Sequence, residues 1–267
     1  MTITQTLRSR ARSYRDLAQR VLATVGVRDS DRKVIDDAQH YWTDPSSNRW
    51  RSDSHWRDSE VFTETDKWDA IGLAHLELFD RLSRTVNRTE PIRGVVEWGC
   101  GGGANAVTFA PRGSSFTGVD VSQESLDECA RQVEGVTSVP FRPVLVDVAD
   151  PEGAVPHLLD PCDLFICLYV FELIPSQEYG ARLLRIAQEI LAPGGLAFIQ
   201  IKYDTGDYRT QPRLRSYRTA VADMTTYRID AFWSLAEACG FRPEMVYLVP
   251  RNNLDERYAY FLLSKSA

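Results

Sequence analysis

Val95-Val96-Glu97-Trp98-Gly99-Cys100-Gly101-Gly102-Gly103-Ala104-Asn105 joins a short apolar run to four glycines within five residues, and an apolar helical pattern follows. The β-branched start favours an extended strand. Glycine lacks a Cβ, so it tolerates positive φ and lets another group approach the backbone closely. A helix starting beyond such a turn directs free N–H groups back at the same spot. Strand, glycine turn and helix start together form a cradle of the nucleotide-binding type.

The 267 residues suffice for one large α/β domain with an added segment, or for two small domains. Apolar residues make up 43% and charged residues 25%, as in ordinary soluble domains. The net charge of −6 disfavours a general binder of nucleic acid or anionic membrane. No apolar run approaches the roughly 20 residues of a membrane helix. The Arg-dotted N-terminus lacks the apolar core and small-residue site of a signal peptide. Five scattered cysteines without a CxxC, and four histidines away from them, point to reduced thiols, a cytoplasmic setting and no metal site.

Ahead of the glycine stretch, residues 3–25 repeat apolar side chains at helical spacing, and a second helix is expected over 29–40. Residues 40–68 hold four of the six tryptophans among polar residues with no steady period. That segment suits a loop pinned by large rings, or a lid whose rings close over a ligand. Residues 66–85 read as a helix with a broad apolar face. From residue 92, strand and helix alternate: strands at 94–97, 115–119, 141–146, 164–168 and 196–201, with helices capped by Ser122 and Ser176. A helix at 229–239 stopped by Gly240 precedes two strands, 244–249 and 257–263, whose short connection makes them antiparallel. The expected fold is α/β: a doubly wound, mostly parallel seven-stranded sheet with a C-terminal antiparallel hairpin, plus an N-terminal helical and aromatic lid segment. The expected division is a cap over residues 1–90 and a core over 91–267, with a lid insertion at about 202–228.

The glycines alone fit two patterns. Gly99, Gly101 and Ala104 match GxGxxA, while Gly99, Gly101 and Gly103 match GxGxG after an acid. Asp120, about 20 residues on at the end of the second strand, is placed to accept from both ribose hydroxyls. With it, Val96–Gly103 resembles the first motif of the class I S-adenosylmethionine-dependent methyltransferases, and Thr117–Ser122 resembles their second-strand motif. Val146-Asp147-Val148, Leu168–Pro175 and Leu191–Gly195 resemble three further motifs in the family's order, across about residues 92–203. The resemblance implies the Rossmann-like fold and S-adenosylmethionine as cofactor. It assigns the methionine part to Glu97, Gly99, Gly101 and Gly103, and the ribose to Asp120. Val121 would pack on the adenine, Asp147 and the Val148 amide would meet its edge, and Leu168 would approach the methionyl end. The absence of Lys and Arg between 94 and 110 agrees with a cationic, phosphate-free ligand.

Many relatives place a histidine directly after the Glu of the fourth-strand motif, whereas this chain has Leu173. The candidates for a base are Glu172, His55, His40 and Tyr203. Substrate contacts are expected from the flanking segments, with Tyr41, Trp42, Trp56, Tyr203 and Arg213 as candidates. The 202–228 insertion interleaves tyrosines with arginines, which suits a lid over a polar or anionic acceptor. The expected activity is methyl transfer to a small molecule, at a hydroxyl oxygen of a natural product or sugar, or at nitrogen or carbon. No nucleic-acid or membrane partner is expected, and the oligomeric state is left open.

A nicotinamide-dependent oxidoreductase would account for Gly99, Gly101 and Ala104, but not for Pro193-Gly194-Gly195 or the final hairpin. A non-catalytic cofactor-binding protein would bind the donor without turnover. Thermal-shift measurement separates the cofactors: S-adenosylhomocysteine is expected to raise Tm and NAD to leave it unchanged, and the reverse result would favour the oxidoreductase.

Overall fold

The computed structural model describes residues 18, 21, 28–63, 66–158, 162–219 and 221–266. The helix expected over 3–25 lies outside them, apart from residues 18 and 21. Seven strands form one sheet in the order β3-β2-β1-β4-β5-β7-β6. They are β1 (Gly94–Trp98), β2 (Ser115–Asp120), β3 (Phe141–Leu145), β4 (Cys162–Cys167), β5 (Leu191–Lys202), β6 (Phe241–Arg251) and β7 (Glu256–Lys265). The first five run parallel, and β7 lies antiparallel between β5 and β6. This is the expected α/β sheet with its closing hairpin.

The continuous apolar run of β4 is explained by burial on both faces. Leu164 and Ile166 join one core with Phe198, Leu262 and Phe109, while Phe165 and Cys167 join the other with Ile199, Ile201 and Phe261. Helices α3 (Lys67–Thr85), α4 (Ala106–Phe109) and α5 (Gln123–Glu134) flank the first face. The second carries α1 (Asp31–Trp42), α6 (Gln177–Ile190) and α7 (Ile229–Ala238). A short helix, α2 (Arg49–Asp53), lies within the tryptophan-rich segment and was not expected there.

The capping residues act as their types require. The Ser122 side chain accepts from the Ser125 amide, and Ser176 accepts from the Tyr179 amide. Gly240 ends α7 with φ of 89°. Two expectations are corrected. The helix beyond the glycine turn is only the four residues of α4, followed by a 3-10 turn through Pro111, because proline supplies no N–H to continue the ladder. Strand β5 begins five residues before Leu196: Leu191 pairs with Cys162, and the Pro193-Gly194-Gly195 kink is absorbed as a register shift.

All five cysteines are free and buried. Among the described residues, no helix is long and apolar enough to cross a membrane. Replacing Ser176 by Ala removes the cap of α6 and is expected to cost about 1 kcal/mol in urea unfolding, with Ser176→Asp retaining most of that stability.

Candidate active site

The glycine turn leaves β1 with its backbone amides already engaged. Gly99 and Cys100 donate to the Val119 carbonyl, Gly103 donates to Cys100, and Gly102 donates to the Ser54 carbonyl at 2.7 Å. Gly101 donates to Asp120 Oδ2 at 2.9 Å, and Asp120 Oδ1 accepts from Ser122. The amides of turn residues 99–103 are thus taken up within the protein. The glycines instead admit neighbouring chain. A Cβ on Gly101 would lie 2.3 Å from the Ser54 carbonyl oxygen, and one on Gly102 would lie 2.7 Å from His55 oxygen and from Trp56 Cα. On Gly99 it would meet Val170 at 2.4 Å. Gly99, Gly101 and Gly103 all have positive φ.

A cavity opens at the C-terminal ends of β1, β2 and β4. Gly99, Gly101, Asp120, Val121, Val148 and Leu168 border it, as do Trp98, Asn105, Tyr169 and Tyr179. Ala38 and Trp42 of α1, Ser54 and His55 after α2, and Tyr217 of the insertion complete the wall. The two accessory segments meet above it: Trp42 Nε1 donates to Tyr217 Oη at 2.8 Å, and Asp29 accepts from the Ser216 amide.

Glu97 lies beneath the turn, 1% exposed. Burial, with the nearby Asp120 charge adding to it, holds its pKa well above the usual carboxylate range despite a hydrogen bond with Asn105. Its Oε2 finds no partner among the described residues. Burial also raises the pKa of Asp120, against the pull of the Gly101, Ser122 and Val121 amides. Asp147 is exposed, with Oδ1 accepting from the Ala149 amide, and does not border the cavity. The Val148 amide donates to Gln39 Oε1 of α1 at 3.0 Å.

S-adenosylmethionine, the implied donor, is a phosphate-free cation, and the cavity suits it. Among the described residues, no Lys or Arg borders it, Asp53 and Asp120 do, and Glu97 Oε2 is a buried acceptor without a partner. An isolated buried carboxylate oxygen is costly unless something donates to it, which a ligand ammonium can do.

A second cavity adjoins the first, and the two share Asp53, His55, Tyr169 and Leu173. Glu172, Arg213, Tyr258, Phe62 and Asp223 also border it. His55 and Tyr169 stand at the boundary, both with φ of 57°, their rings stacked at 4.7 Å. Non-glycine residues held in that region store strain, and such strain clusters at functional sites. Burial, with the His75 ring adding to it, lowers the pKa of His55 to about 4.

Glu172 is 2% exposed. Tyr258 Oη donates to its Oε1 at 2.8 Å, and its Oε2 finds no partner among the described residues. Burial pushes its pKa up to about 7. Asp223 meets Arg257 at 2.9 Å, Arg213 at 3.2 Å and Lys202 at 3.4 Å.

The other candidates sit elsewhere. Tyr203 extends β5 through a bridge to Tyr227 and borders neither cavity. Trp56 packs edge-on against Trp50, and Tyr41 donates to Asp53 from behind the wall. His40 is exposed at the end of α1. Tyr169, Tyr217, Asn105 and Tyr258 were not singled out from sequence. Among them only Tyr217, among the interleaved tyrosines, and Tyr169, inside the fourth-strand motif, carried a signal. No cluster of three or more His, Cys, Asp or Glu among the described residues is placed to hold a metal. Gly102→Ala is expected to push residues 54–56 off the turn, lowering stability by about 2–3 kcal/mol in urea unfolding and opening this segment to limited proteolysis.

Residues 95–195 match the model of a family described as a methyltransferase domain. A ubiquinone biosynthesis O-methyltransferase of Chromobacterium violaceum is 30% identical over 107 residues, covering 39% of this chain and 42% of that protein. The same enzyme of Idiomarina loihiensis is 25% identical over 174 residues, covering 63% of this chain and 62% of that one. The chain thus matches less than two-thirds of the length of these relatives. Magnesium protoporphyrin IX methyltransferase of Synechocystis PCC 6803 superposes with a TM-score of 0.58 at 16% identity, over 85% of this chain and 98% of that one. N-methyltransferase NodS of Bradyrhizobium japonicum WM9 gives 0.55 at 16% identity, over 90% and 100%. The family match falls on the strands and turn that build the donor-type cavity: residues 95–195 form a methyltransferase domain, consistent with the class I S-adenosylmethionine-dependent methyltransferases.

Proposed function

We propose that this chain transfers the methyl group of S-adenosylmethionine to a hydroxyl oxygen of a small polar molecule, a natural product or a sugar, seated in the second cavity. The observation that carries this is Glu172: a buried carboxyl, one oxygen held by Tyr258 and the other without a partner among the described residues, bordering the cavity next to the donor site. A hydroxyl must lose its proton as it attacks, and a base titrating near the working pH serves that best. The pKa of about 7 suits Glu172 to the task, whereas His55, lowered to about 4, is a far weaker base.

When bound, the donor supplies a sulfonium methyl that leaves a neutral thioether. The chain itself does the rest. Asp120 and Glu97 hold the donor's polar ends, and Val121, Val148 and Trp42 enclose its flat part. His55 and Tyr169 form the boundary across which the acceptor oxygen is aligned. Alignment and exclusion of water supply most of the rate in such a transfer. Glu172 Oε2 takes the hydroxyl proton. Arg213, fixed against Asp223 at 15% side-chain exposure, borders the same cavity and suits a polar or anionic substituent. The O-methyltransferase relatives named above support oxygen as the methylated atom.

Incubation with methyl-labelled donor and a panel of hydroxylated small molecules tests the proposal, since label should enter a small acceptor as a methyl ether. With that acceptor, rate should rise with pH through about 7 as Glu172 ionises. Glu172→Gln should abolish that limb and reduce kcat by roughly 10²–10⁴-fold. Tyr258→Phe removes a hydrogen bond that favours the carboxylate, so the limb should move to higher pH. A full rate in Glu172→Gln would overturn the assignment of the base.

Stability should respond in the opposite sense. The folded-state pKa of Glu172, about 7, lies above the ordinary 4.5, so folding disfavours its ionised form. That penalty is absent below the ordinary value, grows as pH rises and is complete above about 7. Glu172→Gln should therefore gain Tm relative to wild type at pH 8, with the gain shrinking toward pH 4.5, as differential scanning calorimetry would record.

A further inference from the structure

His75 takes no part in the chemistry above, yet it connects both ends of the site. It lies on α3, 2% exposed, with both ring nitrogens engaged. Nδ1 is 2.7 Å from Asn105 Oδ1, and Nε2 is 2.8 Å from Tyr260 Oη. Asn105 borders the donor cavity and hydrogen-bonds Glu97. On the other side, Tyr260 donates to Asp255 Oδ2 and accepts from Gln200, while Tyr169 donates to Asp255 Oδ1. The amide of Tyr169 donates to Gln200 Oε1, so the boundary residue is tied by its backbone as well as its hydroxyl.

The helix is seated for this contact. A Cβ on Gly72 would lie 2.3 Å from the Ala104 carbonyl oxygen, so the glycine lets α3 close onto the turn. His75 stands three residues further along, which on a helix is the same face. A core histidine needs only to satisfy its two nitrogens. Here the chain of contacts ends at a cavity-bordering amide and at Glu97, whose Oε2 has no partner among the described residues. Within this network, Glu97 Oε2 is the buried side-chain atom that finds no partner among the described residues.

We propose that His75 is a positioning residue for the amino-acid end of the methyl donor, holding Asn105 and through it Glu97 beneath the glycine turn. It rests on the donor site proposed above. The nucleoside end, at Asp120, Val121 and Val148, touches none of this network.

Isothermal titration of the full-length protein with S-adenosylhomocysteine and with 5′-methylthioadenosine, which lacks the amino-acid part, separates the two ends. His75→Phe keeps the ring volume without the nitrogens. It should weaken S-adenosylhomocysteine by about tenfold or more, about 1.4 kcal/mol, and leave methylthioadenosine within about twofold. His75→Asn places an amide where Nδ1 stands and should restore most of the lost affinity. His75→Gln reaches toward Tyr260 instead and should not. Far-ultraviolet circular dichroism of each variant confirms its fold, and Asn105→Ala should reproduce the His75→Phe pattern if that variant does not fold. Equal losses for the two ligands, an unchanged affinity for S-adenosylhomocysteine, or rescue by Gln in place of Asn would make His75 a structural core residue and overturn the proposal. Failure of the wild type to bind S-adenosylhomocysteine would instead strike at the donor site itself and remove the inference with it.

Discussion

The structure depends on one backbone contact: the Gly102 amide donating to the Ser54 carbonyl at 2.7 Å, across a turn with no Cβ in the way. It brings the tryptophan-rich segment directly onto the end of β1. His55 is thereby placed over the donor cavity and against Tyr169. Arg51 lies over the Trp56 ring and pairs with Glu124, which braces the same segment against α5. A side chain at either glycine would force these layers apart, and the boundary between the two cavities would go with them.

The sheet could be read from the sequence because strand and helix periodicities differ and because capping residues act locally. Ser122, Ser176 and Gly240 signal their positions within a few residues of themselves. The cavity floor was likewise legible, since Gly99, Asp120, Val148 and Leu168 all fall within recurring motifs. The roof was not. Trp42 meets Tyr217 across 175 residues, and nothing local to either residue announces the other. The purpose of the glycines was also hidden: a glycine that admits a ligand and one that admits neighbouring backbone look the same in sequence. His75 sits in an amphipathic helix, where its apolar neighbours suggest only a core position.

Two buried carboxyls share one pattern in different surroundings. Glu97 sits under the turn with one oxygen bonded through Asn105, and Glu172 sits beyond Tyr169 with one oxygen held by Tyr258. Each keeps a second oxygen without a partner among the described residues. Removing such atoms from water is unfavourable, so each of these carboxyls costs the fold stability.

The Trp42–Tyr217 hydrogen bond has a consequence for how the molecule assembles. The segments it joins flank the parallel core on both sides in sequence, and closing them means bringing together the ends of a loop well over a hundred residues long. Contacts of such separation carry a high entropic cost in the unfolded chain. The core strands can pair before this happens, so the roof is expected to form late, on a sheet already in place. An alteration to either flank would then disturb the cover of the first cavity while leaving the nucleus of folding intact.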